Sequence, residues 1–155
     1  MAKGNKILVV GGNGRYFEAL AGEAFSPGNL LQIKAATEPD GSGMYTVEEF
    51  DGAADGERAP VIVALENNLA GKTSADAYAA NDVVQCYMPL PGDELNVMVQ
   101  ASAGALAIGD KMIFDDGTGT LIKTTGTPES EPFQVLETAS DPAADALYHM
   151  LTTGN

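Results

Sequence analysis

Residues with reactive side chains are scarce in this 155-residue chain, which has no tryptophan, one histidine and one cysteine. A single cysteine excludes an intrachain disulfide. Cys86 stands inside the apolar run VVQCYM, so we predict a small buried hydrophobic residue there and not a reactive thiol. His149 has no serine elbow or cysteine nucleophile context, so we expect no catalytic residues and no enzymatic activity.

Metal-binding patterns are also missing. No HExxH, CxxC or histidine-rich cluster offers a transition-metal site, so neither a metal nor a cofactor is expected. Two acidic pairs, Asp51/Asp55 and Asp115/Asp116, can in principle bind a hard cation, but solvated turns explain both, and neither has the spacing of a calcium loop. The sequence leaves open a pair of catalytic carboxylates of the glycosidase type, because folding brings such residues together and they have no fixed spacing along the chain.

Basic residues are few: 8 lysines and arginines stand against 22 acidic residues, and the formal net charge is −14. Such a surface repels phosphate backbones and anionic lipids, so we expect no nucleic-acid partner and no membrane partner. No apolar run approaches the roughly 20 residues that span a bilayer. The N-terminus MAKGNKILVV has no signal cleavage pattern, so a soluble chain made in the cytoplasm is expected.

Two segments imitate phosphate-binding loops. The run ILVVGGNGRYF places glycines after a strand, but registering Gly12 and Gly14 as the first two puts Phe17 at the third position, where a bulky ring prevents close helix packing. The other segment, residues 71–73 (GKT), has Glu66 where a P-loop needs glycine, and a carboxylate there opposes phosphate. Neither segment predicts nucleotide binding.

The central part of the chain, residues 60–121, consists of short apolar runs bounded by Gly, Pro, Asn or Asp. Three of these runs begin alike, with a turn residue and an aspartate: Asn81-Asp82, Gly92-Asp93 and Gly109-Asp110. Aspartate can bond to nearby backbone, and glycine supplies the positive φ of tight turns. The starts recur roughly every 11 to 17 residues, close to the strand spacing of small barrels and sandwiches.

This pattern predicts a mainly β fold, a small β-barrel or sandwich-like domain with an extended N-terminal arm and long loops. The longest segment between predicted strands in this part of the chain, residues 66–81, is expected to contain one helical turn at 75–80. Strands are predicted at 7–10, 30–34, 44–50, 61–65, 82–88, 94–100, 111–115, 120–125 and 134–138, with a last short strand or helix near 147–151.

Residues 60–121 resemble a group of short proteins that decorate the heads of tailed bacteriophages, called decoration, cement or head-stabilising proteins. The resemblance covers about 60 residues, and its specificity comes from the order of common turn–strand elements. The matching features, in order, are Ala64-Leu65-Glu66, Gly71-Lys72, Ala75-Asp76-Ala77-Tyr78, Asp82-Val83-Val84, Pro91-Gly92-Asp93-Glu94, Gly109-Asp110-Lys111-Met112 and Gly117-Thr118-Gly119-Thr120-Leu121.

The resemblance implies a small β-rich protein that needs no active site. Such proteins are often trimers at three-fold and quasi-three-fold positions of the capsid, where they bind after the shell expands. They cement neighbouring major capsid subunits against the pressure of internal DNA. The resemblance therefore implies two partners, the major capsid protein and further copies of the chain in a homotrimer, and a location on the outer capsid surface of the virion.

Under this interpretation the chain divides into an N-terminal arm with a short strand, residues 1–30, and a β-rich decoration domain, residues 31–155. The glycines of the arm give it reach along the capsid or a neighbouring copy. Its large apolar side chains are the candidate anchors in that interface: Tyr16, Phe17, Leu20 and Phe25.

Two other functions stay open. The first is a binding module on a virion or cell surface that contacts a host receptor or glycan through its loops, although glycan sites usually use exposed aromatic residues and this chain has no tryptophan. The second is a hydrolase or lyase on a β scaffold, disfavoured by the missing histidine, cysteine and metal pattern.

Overall fold

The structure is a computed structural model that describes residues 6–34, 43–51, 61–115, 118–124 and 132–153. In these ranges a single 3-10 turn, Asn68–Ala70, accompanies eleven strands. The strands are β1 Leu8–Val10, β2 Arg15–Ala21, β3 Leu30–Ile33, β4 Tyr45–Glu49, β5 Ile62–Ala64, β6 Val83–Met88, β7 Glu94–Val99, β8 Lys111–Phe114, β9 Leu121–Lys123, β10 Phe133–Val135 and β11 Ala146–Thr152.

The first half of the chain forms a closed five-stranded barrel in the order β2-β4-β3-β5-β6. The pairing of β2 with β4 is parallel, and the other pairings are antiparallel. Side chains alternate along β2, so Ala19 and Ala21 face inward and Glu18 faces solvent. Many inward residues are small, which suits the narrow interior of a five-stranded barrel: Ala19, Ala21, Phe25, Leu31, Val47, Ile62, Ala64, Tyr78, Val84 and Cys86.

The second half forms another five-stranded barrel, β7-β11-β10-β8-β9, which the parallel pairing of β9 with β7 at Leu121 and Val99 closes. Strand β1 lies beside β7 and is the outer strand of this sheet. The amides along the same side of β7 find acceptors outside the barrel: Asn96 donates to the Ile7 carbonyl at 2.7 Å, and Met98 donates to the Gly28 carbonyl at 2.9 Å.

The two barrels meet in a second hydrophobic cluster, which is separate from the interior of the first barrel. Residues on the outer side of the first barrel, among them Leu30, Val63 and Tyr87, pack with interior residues of the second, among them Leu95 and Phe133. Burial of apolar area on this scale is the main stabilising contribution in a domain of this size. We infer that the barrels form one folding unit, because neither keeps this surface covered without the other.

The three aspartate turns predicted from the sequence have one common geometry. Asp82, Asp93 and Asp110 each accept a side-chain hydrogen bond, at 2.8–2.9 Å, from the amide of the residue three positions earlier. Each also donates its own amide to the carbonyl of that residue. The preceding residue has a positive φ in every case, 72° at Asn81 and 94–95° at the two glycines. The aspartate side chain therefore bonds to the backbone three residues before it, and this hydrogen bond closes the turn that precedes the strand.

The prediction of a mainly β barrel fold is confirmed, and the predicted hairpin near 111–125 is the pair β8 and β9. The tail is a seven-residue strand and not a helix. The helical turn predicted at 75–80 is wrong, because the turn of 3-10 helix lies at 68–70 and Tyr78 forms a β-bridge with Phe25.

Cys86 is buried as predicted, with 1% of its surface exposed. Burial raises the pKa of its thiol to about 12. The thiolate, which is the reactive species, is therefore disfavoured at neutral pH.

The described part of the predicted arm is folded into both sheets. Within residues 1–30, β1 pairs with β7, and β2 pairs on both sides, with β4 and β6. Residues 1–5 lie outside the described residues. No helix in the described ranges has the length and apolar character needed to cross a membrane.

Candidate functional site

The glycine loop between β1 and β2, residues 11–14, closes over a buried tyrosine. The hydroxyl of Tyr87 accepts hydrogen bonds from the amides of Gly12 and Gly14, at 3.2 and 3.0 Å, and donates to Asp93 Oδ2 at 2.5 Å. Asp93 is only 4% exposed. Burial, followed by the hydrogen bond to Asp93, raises the pKa of Tyr87. These loop amides bind the protein itself, so the loop has a structural function.

Neither phosphate-binding segment has the required context. A strand, β2, follows the glycine loop where a dinucleotide-binding fold needs a helix. In the second segment, Gly71 ends the 3-10 turn with a φ of 71°, and the ammonium of Lys72 lies 3.2 Å from Asp82 Oδ2. The absence of nucleotide binding at these segments stays a prediction.

The four candidate anchors lie in different environments. Tyr16 is 51% exposed, and its ring packs on that of Tyr87 with centroids 4.6 Å apart. Phe17 and Leu20 are half-buried, on opposite faces of β2. Phe25 is 4% exposed and packs against Tyr78 in the core of the first barrel. The anchor role of these four residues stays a prediction. Among the four, Tyr16 has the most exposed side chain.

A cleft of about 450 Å³ lies where the two barrels meet. Asn29, which is 5% exposed, bridges the barrels at its edge by donating to Glu49 Oε1 at 2.8 Å and to the carbonyls of Thr118 and Gly119 at 3.3 Å. We call this the acidic cleft, because two carboxylates are among its lining residues: Ala24, Phe25, Ser26, Asn29, Glu49, Met98, Thr118 and Asp145.

Carboxylates crowd the acidic cleft. Burial raises the pKa of Glu49, and the nearby charges of Glu23 and Asp145 raise it further. Glu23 is held close because its Oε1 accepts the amide of Glu49 at 2.9 Å. Because like charges so close repel each other, the cleft favours protonation of Glu49 and attracts a cationic group.

We predict that Glu49→Gln stabilises the monomeric chain at neutral pH. The pKa of Glu49 lies above its ordinary 4.5 in the folded chain, so its stabilising contribution is present at low pH and is lost as the pH rises through the folded pKa. Glutamine keeps an acceptor for Asn29 without the charge. Thermal unfolding of dilute protein from about pH 3 to about pH 8 should show a melting difference that grows with pH.

The matched control is Glu48→Gln on the same strand. Glu48 lies 3.5 Å from Lys34 and accepts a hydrogen bond from Gln32 at 3.2 Å, so its removal relieves no repulsion and should give no gain. A melting difference for Glu49→Gln that did not change with pH would contradict the assigned cause.

No group of three or more histidine, cysteine, aspartate or glutamate side chains within the described ranges is placed to hold a metal ion. Of the two acidic pairs, Asp115 accepts the hydroxyl of Thr118 at 2.6 Å, whereas Asp55 and Asp116 lie outside the described residues. His149 lies on β11 with its Nε2 2.9 Å from Glu94 Oε2. The expectation that the chain has no enzymatic activity stays a prediction.

Sequence reasoning missed the acidic cleft and the Tyr87–Asp93 contact. The cleft brings together residues as distant as Ala24 and Asp145, and no spacing signals such a site. A signal for the second existed: the glycines at 11, 12 and 14 need a partner that fills the loop, and a tyrosine is one of the few side chains that can accept two amides and still donate.

Neither a protein-family model nor a curated protein sequence matches the chain. A solved structure, that of the head fiber gp8.5 N base in bacteriophage phi29, has a similar fold. The two superpose with a TM-score of 0.54 over 90% of this chain and 94% of the other, at 15% sequence identity. The likeness therefore extends over both barrels and is one of fold.

Proposed function

We propose that this chain is a structural protein of a bacteriophage head. It binds the outer surface of the expanded shell as a homotrimer at three-fold and quasi-three-fold positions and cements neighbouring major capsid subunits. The observation that carries the proposal is the fold shared with a phage head fiber base along nearly the whole of both chains. The sequence resemblance of residues 60–121 to head decoration proteins points to the same class independently.

The physical character of the chain supports a role in binding. Its described residues offer a glycine loop whose amides are already bonded, a buried thiol and no metal cluster, whereas exposed apolar side chains such as Val10 and Tyr16 are available for contact. A net charge of −14 keeps densely displayed copies from sticking to other particles. Area and shape then provide the binding energy.

The test is co-sedimentation of the purified protein with phage heads that lack it. We expect saturable binding to expanded heads and little binding to unexpanded proheads, because the proposed site forms on expansion. Decorated heads should also release DNA at a higher temperature than undecorated ones. Absence of binding to expanded heads, or binding to host cells or glycans in its place, would contradict the proposal and favour a receptor-binding module.

A further inference from the structure

Charge is distributed unevenly along the chain. The first 17 residues contain Lys3, Lys6 and Arg15 and no acidic residue, whereas residues 18–155 contain the other 5 basic residues and all 22 acidic ones. The first segment therefore has a formal charge of +3 and the remainder −17, which together give the −14 of the whole chain. A cationic segment of this kind on an acidic protein needs an acidic partner.

Several side chains in the described part of this segment are exposed, and together they combine positive charge with apolar surface. Val9, Val10 and Tyr16 are 45, 53 and 51% exposed. Lys6 and Arg15 are also exposed, and neither has an ion-pair partner among the described residues. We call the four residues Val9, Val10, Arg15 and Tyr16 the basic patch; Lys6 precedes β1, and its carbonyl accepts the side-chain amide of Asn96 at 2.6 Å. Aromatic and arginine side chains side by side are typical of protein interfaces.

The basic patch and the acidic cleft lie at opposite ends of the same strands. Arg15 begins β2, and the cleft residues Ala24 and Phe25 follow its other end. Likewise, Val10 pairs with Glu94 at the start of β7, and the cleft residue Met98 lies near its end. The six intervals of β2 measure about 20 Å, so Arg15 cannot reach the cleft of its own chain.

The acidic cleft has unused acceptors for a cation. Glu49 uses Oε1 to bond Asn29, and Asp145 uses Oδ1 to accept the amide of Ala101 at 2.7 Å. Their second carboxylate oxygens have no hydrogen-bond partner among the described residues. The cleft volume of about 450 Å³ accommodates an arginine or a tyrosine side chain, and Phe25 and Met98 give part of its wall an apolar character.

We propose that the basic patch of one copy docks into the acidic cleft of a second copy. Like charges prevent the patch from pairing with itself, so the contact is head to tail and not a symmetric dimer contact. Head-to-tail contacts close into a ring when the rotation between copies permits it, and a rotation of one third of a turn gives a trimer. This inference rests on the self-association in the proposed function and names its two surfaces.

The test is a charge swap followed by analytical ultracentrifugation at low salt. Arg15→Glu and Asp145→Arg should each weaken self-association about tenfold or more, because each brings like charges together. The double variant should recover it, because Glu at 15 then meets Arg at 145 in every contact. Tyr16→Ser should also weaken association, whereas the control Tyr45→Ser, which removes a tyrosine that is 44% exposed on β4, should leave it unchanged.

Recovery in the double variant shows that the two substitutions together are compatible with folding, and far-UV circular dichroism of each single variant checks the same for that variant. A monomeric wild type, or self-association that Arg15→Glu leaves unchanged, overturns the inference. Binding of the same variants to expanded heads separates this failure from failure of the proposed function. If Arg15→Glu abolishes head binding but leaves the oligomer intact, the patch contacts the shell and the inference is wrong while the proposed function stands.

Discussion

Replacing Gly11 with alanine is expected to destabilise the chain by about 3–4 kcal/mol, of which about 1–2 kcal/mol is backbone strain and the rest overpacking. Gly11 has a φ of +127°, and a Cβ atom there would lie 2.1 Å from Asp93 Oδ1. The carboxylate cannot move aside easily, because its other oxygen bonds Tyr87 and the amide of Leu90. Chemical denaturation followed by far-UV circular dichroism measures the loss.

Gly92→Ala is the matched control. Gly92 also has a positive φ, +94°, but a Cβ atom there meets nothing within 4 Å. Its cost should be limited to backbone strain, about 1–2 kcal/mol. Equal losses for the two variants would show that Asp93 is not held in place, and the description of the glycine loop as a closed buried contact would be wrong.

Leu30→Ala is expected to destabilise the whole chain by about 2–5 kcal/mol. Leu30 is 1% exposed and lies in the hydrophobic cluster where the two barrels meet. The cavity therefore removes contacts from both barrels at once. The variant should still unfold in one cooperative transition, shifted to a lower denaturant concentration. Tyrosine fluorescence and far-UV circular dichroism, recorded through guanidinium unfolding, should give coincident curves before and after the substitution.

Ile33→Ala, on the same strand, is the control. Ile33 is 44% exposed, so we expect a loss of about 1 kcal/mol or less. Two separate transitions in the wild type, only one of which Leu30→Ala shifts, would show that the barrels fold independently.

Local patterns were sufficient to predict most strands. The three aspartate turns illustrate the reason. The residue with positive φ, the aspartate after it and the amide that the aspartate accepts all lie within four residues, so the turn can be recognised from local sequence. Their positions predicted β6, β7 and β8. The direction of the bond, back by three residues and not forward by two, required the structure.

Strand β2 could not be predicted in the same way. Its sequence RYFEALA alternates, but Tyr16, Phe17 and Leu20 also fit a loose helical stripe, and alanine has no preference for strands. Pairing with β4 in parallel and with β6 antiparallel decides the outcome, and both partners are distant in sequence. The acidic cleft was missed for the same reason, since it exists only after two barrels close and meet.

An electron-microscopy map of heads that carry this protein tests the central claim most directly. The account predicts added density on the outer surface of the expanded shell, at three-fold and quasi-three-fold positions, into which two adjoining five-stranded barrels fit in each of three copies. Heads with saturating protein but no added outer density, or with density only inside the shell, would contradict it.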